Sequence, residues 1–493
     1  MKLIYGVKDR PSVPRILLFA LQQLLAILAA TIAVPMIIGN GMSPSAALFG
    51  AGAGTLVYLL FTKFKSPVFL GSSFAFLGSM AAAFAGGVSA SLGYLGLIIG
   101  AIFAGLVYVI IAVIVKFAGV KWINKIMPAV VIGPTVAIIG LSLAGNAVGD
   151  LMKGAVTQEV TNWVVQFDAA NVPQLVESVS NVPVASPYIC LVCGLVTLAV
   201  TIVCSVYGKK LLKMIPFIIG ILAGYVVAAI FTGIGFAANV DALKVIDFSK
   251  FQSMQWYPDF AFVKAFINAD YGSADIGAYI GTIAVAYIPV AFVVFAEHIA
   301  DHKNISSIIE SDLLADPGLT RTLLGDGIGS MAGAFFGGCP NTTYGESVGC
   351  VAISGNASVV TILTTAVMAI VASFIAPFVT FLATIPPCVM GGVCIALYGF
   401  IAVSGLKMIQ KVDLGDNRNL FVVSVILIAG VGGLTLTFGR ITITAVACSL
   451  ILGILTNVLV NIGVKKAETT ETTETVETAE TTETVTEDNK EEE

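Results

Sequence analysis

Charge is what this chain has least of. Asp, Glu, Lys and Arg make up 11% of its 493 residues, whereas a soluble domain carries about 25%. Histidine occurs only twice, at His298 and His302, and tryptophan three times. So few solvating groups exclude an ordinary water-exposed globular protein. The net charge of −5 offers no basic surplus, and no nucleic-acid partner is expected. A zinc site is not indicated either. Cys190 and Cys193 form a CxxC, but no second pair or neighbouring histidine completes a ligand set, so the pair reads as one face of a helix. The first apolar run is not followed by a small-residue cleavage site, and the N-terminus is read as uncleaved.

What is present is apolar. Hydrophobic residues make up 57% of the chain, and the mean hydropathy is +0.96. Runs such as 16–39, 93–115, 188–206, 358–380 and 422–438 reach or approach the ~20 residues that cross a bilayer. The expected fold is an all-α polytopic membrane protein with about 14 transmembrane spans. They lie near 14–39, 45–62, 68–86, 90–115, 127–147, 185–206, 213–233, 276–300, 319–337, 341–354, 357–379, 384–405, 418–438 and 441–463. With both termini cytoplasmic, this threading puts twenty Lys and Arg inside and five outside, the bias expected of a correct orientation. The polar segments 148–184 and 234–275 then face outward. The net charge hides a tail: from Ala467 on, eleven acidic residues stand against Lys490. That stretch carries −10 and leaves +5 on the rest of the chain. Rich in Thr and Glu and without aromatics, it reads as disordered and solvated.

An internal echo organises the spans. Met127–Gly133 (MPAVVIG) matches Ile385–Gly391 (IPPCVMG), in spans five and twelve. A seven-span unit used twice inserts in opposite orientations, so the pattern implies inverted repeats, with binding where broken helices meet. By the same offset span three corresponds to span ten, and these two are the short, polar ones. Span ten contains GGCPNTTYGESVG, Gly337–Gly349, which sets a proline, Asn341-Thr342-Thr343 and the carboxylate Glu346 inside an apolar run. Irregular polar chain survives at membrane depth only inside protein or beside a cavity, and a carboxylate there marks a functional site. Asn341, Thr342 and Thr343 are expected to cap a half-helix, and Gly345 permits close backbone approach to a ligand. Span three offers Leu70–Phe76 (LGSSFAF), with Phe74 as an aromatic platform for a flat ligand.

Phe295–His302 (FAEHIADH) holds both histidines with Glu297 and Asp301. Glu297 and Asp301 share one helix face at i,i+4, and His298 and His302 share the adjacent one. Neighbouring carboxylates repel, which suits groups that take up and release a coupling proton. Gly325, Gly329, Gly333 and Gly337 imitate a nucleotide loop, but their four-residue period is a small-residue packing seam. No nucleophile, base and orienting group converge, so an enzyme is not expected. A channel would share the topology without concentrating its solute.

In GSSFAF, AEHIADH, DLLADPGLTRTLLGDG, PNTTYGE and PPCVMGGV the chain resembles the nucleobase:cation symporter-2, or nucleobase–ascorbate transporter, family, most closely its bacterial uracil permeases. The resemblance implies a core domain (1–115, spans 1–4, and 276–380, spans 8–11) that carries substrate against a gate domain (116–233, spans 5–7, and 381–465, spans 12–14). It also implies an external loop at 234–275, short extended segments in spans 3 and 10, and a homodimer in the plasma membrane. Residue by residue, it implies that Glu297 and Glu346 hydrogen-bond a pyrimidine ring, that Phe74 packs on it, and that Tyr344 and Gly345 supply backbone contacts. Proton coupling would centre on Glu297 with Asp301 and His302, with the proton as coupling ion and no cofactor. Some uracil permeases have histidine where this chain has Asp301, and the family's Gln-His in the first span is Gln22-Gln23 here. Purine-type members put an amide at the position of Glu346. Uracil is therefore favoured over xanthine, and related pyrimidines stay open.

Overall fold

A computed structural model of the chain describes residues 3–119, 122, 128–167, 173–209, 211–267, 269–272, 275–438 and 441–462. The acidic tail expected to be disordered lies outside them.

Uniformly apolar sequence with capped or prolyl starts gives long helices. They are α1 (Val13–Ile38), α2 (Pro44–Phe61), α4 (Ala90–Ala118), α7 (Pro187–Tyr207), α8 (Pro216–Ala238), α9 (Ile276–Ile309), α10 (Leu319–Gly337) and α14 (Pro387–Ile409). Ser43 caps α2, Ser89 caps α4, and Asp275 accepts the N–H groups of Gly277 and Ala278 at the start of α9. Proline at the first helical position opens α2, α7, α8 and α14, where its missing N–H costs nothing.

Shorter pieces complete the order: β1 (Leu70–Ser72), α3 (Leu77–Ala83), α5 (Ala129–Ser142), α6 (Ala144–Asp150), β2 (Thr157–Phe167), β3 (Pro173–Pro183), β4 (Asn341–Thr343), α11 (Gly345–Ser354), α12 (Val359–Ala372), α13 (Ala376–Thr384), α15 (Asn417–Val431), β5 (Leu436–Phe438), β6 (Ile441–Ile443) and α16 (Ala445–Val460). Each of the fourteen expected segments overlaps at least one of these elements. Eight helices among the described residues are long and apolar enough to cross a membrane alone, counting α5 and α6 as one. The segment expected as one span at 357–379 is instead two helices, α12 and α13, bent by 84° between Ala372 and Ala376. In segment 148–184, expected to face outward, β2 and β3 form an antiparallel hairpin.

The broken spans three and ten meet. β1 and β4 pair antiparallel, with Leu70 opposite Thr343, Gly71 opposite Thr342 and Ser72 opposite Asn341. This replaces the expected cap: the Asn-Thr-Thr run is a strand, and α11 begins at Gly345, with Tyr344 before it making no side-chain cap. The reason is that backbone groups at this depth have no water and must find partners. Here each strand supplies the other's. Thr55 of α2 adds to this, its hydroxyl accepting from Leu70 N–H at 2.9 Å.

The glycine seam packs as its period demands. A Cβ added at Gly54 of α2 would lie 2.6 Å from the Gly329 carbonyl of α10, and one at Gly50 would lie 2.5 Å from that of Gly333. On the other side of α10, a Cβ at Gly105 of α4 would come within 2.7 Å of the Gly327 oxygen. The backbones of α2, α10 and α4 touch, and only hydrogen atoms fit between them. Gly54→Val should therefore push α2 off α10 and destabilise the protein by about 3 kcal/mol or more. Thermal unfolding of the detergent-solubilised protein would show a clear drop in Tm, whereas Gly145→Ala, with open space around it, should melt like the parent. A normal Tm for Gly54→Val would contradict this packing.

Candidate functional site

The carboxylates of two separate elements converge on one cavity. Glu297 and Asp301 lie one turn apart on α9, and Glu346 stands in the first turn of α11, where a negative charge is favoured by the helix dipole. All three line a cavity of about 350 Å³ together with Gly345. The far wall comes from α8 and α14, through Phe217, Phe400 and Ser404. Gly345 presents bare backbone there: the atom nearest to an added Cβ would be an Asp301 oxygen 3.9 Å away. Asp301 is held in place by Thr343 of β4, whose hydroxyl donates to its Oδ2 at 2.7 Å. The i,i+4 carboxylate pair and Glu346 thus come together as the helical spacing and the broken spans imply.

Phe74 and Tyr344 are not among the residues lining this cavity but lie beside it. They line a void of about 30 Å³ with Glu297, Gly345 and Glu346. Phe74 meets Tyr398 of α14 edge-on, with ring centroids 5.6 Å apart. Phe74 and Ala75 also line a further cavity, of about 440 Å³, whose polar lining comes from Asn40, Ser142, Asn146 and Thr444. The short segment after β1 therefore partitions two cavities. Tyr344 has given its hydroxyl to the scaffold, donating to the Ser72 carbonyl at 2.8 Å. Its ring lies flat on Gly71, where any side chain would overlap it.

The histidines point elsewhere. His298 and His302 stack at 4.0 Å on the adjacent face of α9, each with no solvent exposure. His302, expected to share in proton coupling, donates from Nδ1 to the His298 carbonyl at 2.8 Å, and its Nε2 lies 2.7 Å from the Tyr58 hydroxyl of α2. It lines neither cavity. His298 Nδ1 lies 2.6 Å from Asp326 Oδ2 on α10, and its Nε2 is 3.0 Å from Thr322 Oγ1. One face of α9 is thus turned to the cavity and the other is bolted to α2 and α10.

Two partners escaped the sequence reading. Gln23 of α1, buried, donates from Nε2 to Ser347 Oγ at 2.6 Å, and that oxygen also accepts from Phe69 N–H at 3.1 Å. Both residues flank the site: Ser347 follows Glu346, and Phe69 precedes β1. The signal was available, since an amide in an apolar first span is as anomalous as a carboxylate in the tenth. Asp326 stood inside the glycine seam, a lone carboxylate at membrane depth. Asp326→Ala should leave His298 buried without its partner, at a cost of about 3 kcal/mol. Calorimetric unfolding should show the loss, with Asp326→Asn milder; an unchanged Tm for the alanine variant would remove the pair from the scaffold.

Known proteins give this arrangement its context. The chain matches the Permease family labelled Xan_ur_permease over residues 14–182 and 172–439. It is 39% identical to the uracil permease of Bacillus caldolyticus over 464 residues, covering 93% of this chain and 95% of that one. It is 37% identical to the uracil permease of Bacillus subtilis (strain 168), with the same coverage. To the uracil permease of Escherichia coli (strain K12) it is 33% identical, covering 91% of this chain and 92% of that one. Among solved structures, the transmembrane domain of the cyanobacterial bicarbonate transporter BicA superposes with a TM-score of 0.59 at 14% identity, over 93% of this chain and all of that one. Murine Slc26a9 in the inward-facing state gives 0.57 at 13% identity, over 92% of this chain and 69% of that one. These two share the fold. By its sequence match, its helical membrane architecture and its paired broken elements, the chain belongs to the nucleobase:cation symporter-2 family of membrane transporters.

Proposed function

We propose that this protein imports uracil across the plasma membrane by proton symport. The observation that carries the reading is the convergence of Glu297, Asp301 and Glu346 with the bare backbone of Gly345 on one cavity beside the β1–β4 junction. Uracil presents ring N–H donors beside carbonyl acceptors in one plane. Carboxylates accept those N–H groups, the unpaired N–H groups at the start of α11 donate to a carbonyl, and Phe74 offers an aromatic wall. Taking up a proton relieves the repulsion among three carboxylates in a confined, poorly screened space, and this couples protonation to occupancy by the neutral base. Glu346 chooses the substrate and Glu297 carries the coupling, with Asp301 as its neighbour. His302, facing Tyr58, would act only through the scaffold.

Lys213 and Met408 are among the residues that line the cavity, and in the expected threading Lys213 belongs to the cytoplasmic side with both termini. The structure is then read as inward-facing, with fourteen spans in two inverted repeats. Movement of core (1–115 and 276–380) against gate (116–233 and 381–465) would carry the carboxylates from this cavity towards the one beyond Phe74. The working form would be a homodimer. Coupled symport predicts that labelled uracil accumulates in proteoliposomes with an inward proton gradient. Accumulation that survives collapse of the gradient would overturn symport, and competition by xanthine alone would overturn the substrate. Glu346→Gln and Glu297→Gln should each weaken uracil binding by about tenfold or more, as expected for losing a hydrogen bond to a charged group. Unaltered affinity in both would place the site elsewhere.

A further inference from the structure

The half-helix α11 is ten residues long and carries Glu346 in its first turn. A helix this short is marginal by itself, so its aim depends on what holds its ends. Its start is held by β4 and by Gln23 on Ser347. Its end is held by the N-terminal residues of the chain. Gly355, at φ +65°, closes α11, and its carbonyl accepts from Ile4 N–H at 2.7 Å and from Tyr5 N–H at 3.1 Å. Further along, Ala357 N–H donates to the Tyr5 carbonyl at 2.9 Å and Val359 N–H to the Val7 carbonyl at 3.1 Å. The Ser358 hydroxyl donates to the Asp9 carbonyl at 2.6 Å.

The strap is itself fastened. Its turn is closed by Gly6 N–H on Asp9 Oδ2 at 2.7 Å, and Arg15 donates to the Tyr5 hydroxyl at 2.6 Å. The Tyr5 ring lies edge-on to Phe19, with centroids 6.1 Å apart. Arg15, Phe19 and Gln23 all belong to α1. One continuous stretch, residues 3–23, therefore clasps α11 at both ends.

We infer that the N-terminal strap, Leu3–Asp9, is a positioning element for Glu346: it fixes the far end of the half-helix and thereby aims the carboxylate at the substrate. The strap lines none of the cavities described above; it acts through α11. This rests on the reading of the site as a uracil site, and the two can fail separately.

The test is a double-mutant cycle on uracil affinity, measured by calorimetric titration of the full-length protein in detergent. Ile4→Pro removes the N–H that bonds Gly355, and Ile4→Val keeps it. Ile4→Pro should weaken uracil binding about tenfold, the equivalent of ~1.4 kcal/mol, with Ile4→Val and the exposed Lys8→Ala unchanged. In a Glu346→Gln background the Ile4→Pro effect should vanish, while in a Glu297→Gln background it should persist; that coupling is what separates aiming from general loosening. If Ile4→Pro gives no folded protein, Tyr5→Ala carries the same comparison, since it keeps every backbone donor and removes only the anchor to Arg15 and Phe19. Unchanged affinity in the strap variant, or an equal loss in both backgrounds, overturns the inference. If Glu346→Gln and Glu297→Gln both leave uracil binding intact, the reading of the site has failed instead.

Discussion

Everything at the centre of this protein depends on backbone hydrogen bonds made where there is no water. Two chain segments stop being helical at membrane depth, and their amide groups would be costly there unpaired. Each is the other's solution: three residues of β1 and three of β4 form a ladder joining parts of the chain some 270 positions apart. The ladder dictates what may surround it. Gly71 has to be bare because the Tyr344 ring covers it. Gly54 of α2 and Gly333 of α10 have to be bare because the Asn341 side chain, which donates to the Gly50 carbonyl at 2.9 Å, lies against both.

Once the ladder is fixed, the half-helix that follows β4 can begin at the cavity, and it sets the carboxylate of its first turn, Glu346, in the cavity lining. Helix α9 supplies the complementary half. Its two faces do different jobs, because the period of the helix sets Glu297 and Asp301 against the cavity and sends His298 and His302 towards Asp326 and Tyr58. The buried histidines are anchors, and they hold the rotation of α9 about its own axis. A small rotation would turn the carboxylates away from Glu346, so the polar contacts behind the helix determine the chemistry in front of it.

Much of this was legible in the residues. The polar break at Gly337–Gly349, the pairing of spans three and ten, the carboxylate face of α9 and the glycine seam all follow from local pattern and period. What was not legible depends on partners distant in sequence. Asn341–Thr343 reads as a cap because a cap is local; it is a strand because Leu70–Ser72 arrives opposite it. His302 reads as a neighbour of the carboxylates, yet it is fully buried beside Tyr58, 244 positions earlier. The bend between α12 and α13 was missed because an apolar run with no charge gives hydropathy no boundary to register. Gln23 was visible only as a departure from a family pattern, and its bond to Ser347 gives that departure a place in the site.

The central claim is that two carboxylates on opposed elements read the N–H edge of a flat base. It is tested most directly by titrating the purified protein with uracil and with its two ring N-methyl derivatives, each of which lacks one N–H donor. The account predicts that both methylated bases bind at least about tenfold more weakly than uracil, as for loss of a hydrogen bond to a charged acceptor. It also predicts that Glu346→Gln abolishes the penalty for one of them. Methylated bases that bind as tightly as uracil would contradict it.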